Sequence, residues 1–146
     1  MATRSLIGMK KPDNTVEYIY CHWDGYPSHH LPILKNHYSD RDNVEDLISF
    51  GALSVLSEKI SSSEGDYHTF EDPIDNVCIF YNRDRGEDWE QNKPRIVSLE
   101  EYNNPSFGFD LWIDYKYLFN DGVWQYQDVI DPESTDEVFT TVSFRL

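Results

Sequence analysis

A chain of 146 residues, 39% hydrophobic and 15% aromatic, is long enough to bury a core without disulfides or metal and too rich in rings for wholesale disorder. Its formal net charge of -15 repels phosphate backbones and argues against a general nucleic-acid binder. The charge is uneven: residues 1–63 carry eight acidic and six basic side chains, residues 64–146 nineteen and six, so the second half is the acidic one.

In chain order, Arg4 to Met9 reads as a strand, the Pro12-Asp13-Asn14 turn follows, and Thr15 to Trp23 pairs back as a hairpin. Along that second strand Val16, Tyr18, Tyr20 and His22 alternate with Glu17, Ile19, Cys21 and Trp23; neither set is wholly polar, which implies a strand covered on both sides. Asp24-Gly25 ends it, Gly25 being the residue expected to supply a positive φ. Ser28 to Tyr38 takes helical spacing, with Leu31, Leu34 and Tyr38 on one stripe and Pro32 acceptable only in a first turn. A second helix runs from about Asp42 to Phe50, capped by Ser39 or Asp40 and stopped by Gly51.

Ala52 to Ile60 reads as irregular, Ser61 to Asp66 as a polar loop and Tyr67 to Phe70 as a short edge strand. The continuous apolar run Asn76 to Asn82 predicts a central strand that delivers Arg83-Asp84-Arg85-Gly86 at its end. Glu87 to Arg95 is charged and Pro-punctuated, hence loop; Ser98 caps a helical turn through Tyr102. Alternation from Leu111 to Phe119, then Asp121-Gly122 and Val123 to Val129, predicts a hairpin, and Val138 to Phe144 a last strand. The expected architecture is one α+β domain over 1–146: a mainly antiparallel sheet with two short helices packed on one face.

No apolar run approaches the roughly 20 residues that a membrane helix needs, and the N-terminus lacks a signal-peptide pattern, so no membrane and a cytoplasmic location are expected. Cys21 and Cys78, both inside apolar runs, read as buried free thiols.

The densest chemistry lies in Tyr18 to Pro27. Tyr20, His22, Trp23, Asp24, Gly25 and Tyr26 gather rings, an imidazole and a carboxylate where a strand gives way to a turn. Arg4, Arg83 and Arg85, three of six arginines, lie at predicted strand ends. Their guanidinium groups suit forked binding of phosphate while Tyr20, Trp23 or Tyr26 stacks on a base. The plainer reading has them in ion pairs with Asp24, Asp84, Glu87 and Asp88. His22 with Asp24, or His29, His30 and His37, offers metal-ligand types without a specified third ligand, and these histidines read as loop or solvent-facing, so no metal or cofactor is expected. Adjacent Cys21 and His22 point to opposite faces of a strand, which excludes the simplest thiol–imidazole couple; with no catalytic motif besides, the chain reads as no enzyme.

Thr3-Arg4-Ser5-Leu6-Ile7-Gly8, the Tyr20-Cys21-His22-Trp23-Asp24-Gly25-Tyr26-Pro27 block, Leu47-Ile48-Ser49-Phe50-Gly51 and the Tyr115 to Trp124 hairpin together resemble a family of short proteins of tailed bacteriophages. The likeness spans most of the chain, departing at Ser28-His29-His30, where such proteins commonly carry a glycine-rich stretch. It implies an infected bacterial cytoplasm as the setting and supplies no catalytic residue. The expectation is a counter-defence protein that sequesters a nucleotide signal, a cyclic nucleotide among the candidates, as a homo-oligomer. The alternative is an inhibitor whose acidic C-terminal half imitates nucleic acid and blocks a host protein, to be tested by neutralising Asp and Glu in residues 110–137.

Overall fold

A computed structural model describes residues 3–61, 74–109 and 111–129, and the expected strands Tyr67 to Phe70 and Val138 to Phe144 lie outside them. The chain opens with the hairpin of β1 (Ser5–Lys10) and β2 (Thr15–Cys21), turned at Asn14 with φ 62°. Helices α1 (Pro27–His37) and α2 (Arg41–Ser49) then return it to β3 (Leu53–Val55), and β4 (Ile79–Phe80) follows. After α3 (Trp89–Asn92) come β5 (Arg95–Ser98), α4 (Leu99–Asn103), α5 (Pro105–Phe109) and the hairpin β6 (Tyr115–Asn120) and β7 (Val123–Asp128).

The seven strands form one sheet in the order β4-β3-β2-β1-β6-β7, with β5 pairing beside the first half of β2. An α+β architecture is present, but the sheet is mixed rather than mainly antiparallel. β1 runs parallel to β6, and β2 parallel to β3. The cause of the second pairing is in the chain: the α1–α2 excursion carries it back to the starting end of the sheet, which a tight hairpin cannot do. Two further expectations change. Ala52 to Ile60 contains a strand, and the run from Asn76 is not central: it contributes two residues at the end of the sheet, on the far side of β3. The charged segment after Glu87 likewise holds a short helix, whose start Asp88 caps by accepting from the Gln91 N–H.

Helix boundaries follow local chemistry. Asp40 caps α2 by accepting from the Asn43 N–H, and Gly51 closes it with φ 84°, a conformation open to glycine at little cost. In α1 it is Pro27 that occupies the first turn, while Pro32 lies inside the helix. Ser98 caps α4 through the Glu101 N–H.

Alternation along the strands makes two cores. Ile7, Met9, Ile19 and Cys21 meet Leu31, Leu34, Val44, Leu47 and Ile48 of α1 and α2. Leu6, Val16 and Tyr18 meet Leu99 and Tyr102 of α4 on the opposite face. Helices therefore pack on both faces rather than one. Lys116, fully buried, fastens the second face: its ammonium donates to the carbonyls of Tyr102 and of Asn104, the latter at 2.8 Å, and lies near the Tyr102 and Phe107 rings. Burial pushes its pKa down to about 7. The Gln127 amide adds a bond to the Asn103 carbonyl at 2.9 Å. Among the described residues no helix is long and apolar enough to cross a membrane.

Gly8 sits where α4 presses on this face: a Cβ there would fall 2.7 Å from Val16 Cγ1 and 3.1 Å from Tyr102 Cζ. Gly8→Ala should lower stability by about 1–3 kcal/mol through overpacking. A urea titration would show this as an earlier midpoint at unchanged slope, and an unmoved midpoint would mean that Tyr102 does not rest on Gly8.

Candidate functional site

β2 does not stop pairing where its strand ends. The His22 N–H donates to the Leu53 carbonyl and the Trp23 N–H to that of Ser54, each at 3.1 Å, so the backbone of the aromatic block is held beside β3. The turn follows, and the positive φ falls on Asp24, at 57°, not on Gly25. Gly25 is required for space instead: an added Cβ would lie 2.7 Å from the Thr3 carbonyl oxygen and 2.8 Å from Ser5 Cβ. The Gly25 N–H donates to that Thr3 carbonyl at 2.8 Å, and its own carbonyl accepts from the Tyr117 hydroxyl at 2.5 Å. Tyr26 then occupies the N-cap position of α1.

Under this turn lies a buried polar chain. Ser5 Oγ and His30 Nε2 share a hydrogen bond of 3.0 Å, His30 Nδ1 and His29 Nδ1 another of 3.0 Å, and the His30 ring packs on Tyr117 with centroids 5.1 Å apart. His30 is thus a core residue, not a loop or solvent-facing histidine. Burial first, and His29 second, push its pKa down to about 3. Cys21, also buried, has its thiol pushed up to about 12 by burial, so it is no nucleophile.

The residues of chemical interest gather on the sheet face that α4 half covers. Register sets Ser5 across from Cys21, hence Arg4 beside His22, on the same face as Leu6 and Tyr20. The Tyr20 hydroxyl and His22 Nδ1 are 2.7 Å apart, which fixes the imidazole. Trp23 stands edge-on to His22, centroids 4.7 Å apart, and is 43% exposed. From the other side of β3, Arg85 lies 5.1 Å over the Tyr81 ring. The positive charges of Arg4 and Arg85 both reach His22, whose pKa is lowered by burial first and by those two arginines after it. Burial raises the Tyr20 phenol to about 12 against the pull of Arg4, and raises that of Tyr81 against Arg85. Ser54, 1% exposed, completes no hydrogen bond of ordinary geometry through its hydroxyl, which nonetheless lies close enough to Tyr81 to stabilise its phenolate.

Of the residues singled out in the sequence, Arg4, Tyr20, His22, Trp23 and Arg85 come together. Arg83 does not join them. Its guanidinium donates to both Asp84 oxygens at 2.9 and 3.0 Å, to Ser61 Oγ at 2.9 Å and to the Cys78 carbonyl at 3.1 Å, over the Phe50 and Phe80 rings on the α2 side. Asp24 accepts from the Tyr26 hydroxyl at 3.4 Å, and the Tyr26 ring lies toward His29, 6.0 Å between centroids. Gly25 shapes the turn. The ion-pair expectation holds for Arg83 with Asp84 and for Arg85 with Glu87 at 3.2 Å, whereas the Arg4 guanidinium has no ion pair among the described residues. Tyr81 and Ser54 escaped the sequence reading because the first looked like strand interior and the second like irregular chain.

Chemically the patch offers two guanidinium groups, a neutral imidazole and three accessible or half-buried rings: donors for an anion and faces for a planar heterocycle. Among the described residues no three side chains gather as a metal site. Of the acidic span 110–137, residues 110 and 130–137 lie outside the described set. No family model, curated protein or solved structure matches the chain.

The buried His30 gives stability a pH dependence of definite sign. Its folded pKa lies below the unfolded value near 6.5, so below that pH unfolded chains take a proton that the folded protein refuses, and stability falls as pH drops toward 3. Between pH 7 and 5 the loss should be about 2 kcal/mol. Urea unfolding at both values would measure it, and His30→Gln should flatten the slope; a variant with the same slope would place the responsible protons elsewhere.

Proposed function

We propose that the protein binds and sequesters a small anionic nucleotide, without turning it over, at the patch formed by Arg4, Tyr20, His22, Trp23, Tyr81 and Arg85. The observation that carries the reading is that Arg4, beside His22 by strand register, and Arg85, over the Tyr81 ring after β4, bring their charge to one imidazole framed by aromatic rings, in a protein of net charge -15. An acidic chain gains nothing in solubility from such a local concentration of cations, whereas a phosphate would be drawn to it. Guanidinium groups meet phosphate oxygens in a forked geometry. Trp23, exposed at the rim, offers a stacking face for the base.

Catalysis is not part of the proposal. His22 is fixed by Tyr20, and burial pushes the Tyr20 and Tyr81 phenols up, away from the range of a general acid or base. In the phage setting that the sequence resembles, the ligand would be a signal nucleotide of the host's defence, and the protein a sponge for it. A second subunit over the open half of the sheet would enclose the ligand more fully than one surface can.

Incubation with cyclic nucleotides, removal of free ligand and denaturation should return the bound ligand intact. Recovery of cleaved product would overturn sequestration, and absence of binding at micromolar concentration would overturn the site. Arg4→Gln should weaken binding about ten- to a hundredfold, the value of charge-assisted hydrogen bonds, with the thermal midpoint kept. Arg83→Gln should cost stability rather than selectively reduce affinity.

A further inference from the structure

Granting the nucleotide reading of the patch, we infer that it selects ligands by charge and takes a phosphodiester, one negative charge per phosphate, in preference to phosphomonoesters and polyphosphates. The selection follows from the charges that face the ligand. Arg4 contributes one positive charge with no ion pair among the described residues, and Arg85 a second that Glu87 offsets at 3.2 Å. His22 adds none at neutral pH, because burial and both arginines oppose its protonation. Asp24, which accepts from the Tyr26 hydroxyl, and Asp114, whose carboxylate accepts from the Arg4 backbone N–H at 3.2 Å, bring only negative charge. The patch therefore presents at most one net positive charge.

A phosphodiester brings one negative charge and comes nearest to balance. A phosphomonoester carries about two at neutral pH and a triphosphate more, so each leaves charge uncompensated against a chain already at -15. Neither feature of a polyphosphate site accompanies the patch. The Gly86 N–H, at φ 71°, is spent on the Asn82 carbonyl at 3.1 Å, and the patch of Arg4, Tyr20, His22, Trp23, Tyr81 and Arg85 includes no lysine. The rings weigh the same way: Tyr20, Trp23 and Tyr81 give the ligand more stacking surface than its phosphate has cationic partners, which suits a molecule rich in base and poor in charge.

The test keeps the base constant and varies the charge. Binding of cyclic AMP, AMP and ATP is measured by calorimetry beside the matching guanine series, with cyclic di-AMP and cyclic di-GMP as larger diesters. Within a series that binds, the diester should bind at least about tenfold tighter than the monoester, and the triphosphate weakest. Glu87→Gln removes the offsetting carboxylate and should narrow that gap severalfold; Glu87 is exposed, and among the described residues its side chain pairs with Arg85. Monoester or triphosphate binding as tight as the diester, or a gap that E87Q leaves unchanged, overturns charge selection while the site itself stands. If no member of either series or the larger diesters binds, the nucleotide reading falls and this inference with it.

Discussion

Everything in this structure depends on β2 being hydrogen-bonded on both sides. Strand β1 pairs with it along its whole length; β5 takes its first half on the other edge and β3 its last residue, extended by the His22 and Trp23 amides. A strand pinned in this way cannot slip by one residue, because a slip would exchange its two faces. Ile19 and Cys21 are thereby committed to the α1–α2 core, and Tyr18, Tyr20 and His22 to the other face. The same register carries Arg4 opposite His22. Pairing thus aims the Arg4, Tyr20 and His22 part of the patch, while Arg85 comes from the turn after β4.

The second face is divided by how far α4 and α5 reach. Tyr102 packs over Gly8 and Val16, its hydroxyl donates to the Tyr117 carbonyl at 2.7 Å, and the Lys116 ammonium holds the carbonyls at the end of α4. That arrangement buries a charge without a carboxylate partner, which is costly unless its donors are satisfied; here carbonyl oxygens at a helix C-terminus and two ring faces meet it. The cover ends at Tyr18 and Phe107, whose rings meet edge to face 5.6 Å apart. Beyond it, two residues along β2, Tyr20 begins the uncovered part. A polar, cationic surface beside a sealed apolar one follows from helices too short to span the sheet.

Much of this was legible in the residues. Period-two alternation marked β1, β2 and the β6–β7 hairpin, and the caps at Asp40 and Ser98 marked α2 and α4, because these signals are local. Pairing direction was not legible: whether β6 runs parallel to β1 depends on a contact more than a hundred residues apart in the chain, which no local pattern encodes. Ile79–Phe80 looked central because continuous apolar character marks burial on both faces, and burial here comes from α2 and Phe50 packing on the end of the sheet rather than from strands on either side. Gly25 was recognised as necessary for the wrong reason. A positive φ can be guessed from sequence, whereas the approach of Thr3 and Ser5 to its Cα cannot.

Arg83 and Arg85 show the limit most clearly. Read as the end of an extended strand, residues two apart share a face, and both would serve one site. The strand ends at Phe80, and from there the chain coils: Asp84 N–H returns to the Phe80 carbonyl at 3.0 Å and Gly86 N–H to that of Asn82 at 3.1 Å. In such helical turns each residue advances about 100°, so two residues separate the side chains by more than half a turn. Arg83 accordingly swings under Phe50 and Phe80 to neutralise Asp84, while Arg85 swings over Tyr81 to the other face. One guanidinium braces the turn, and the turn presents the other. The divergence also explains why Asp84 accepts from the Phe80 N–H at 2.8 Å: a carboxylate that both closes the turn and anchors Arg83 fixes the direction in which Arg85 must leave it.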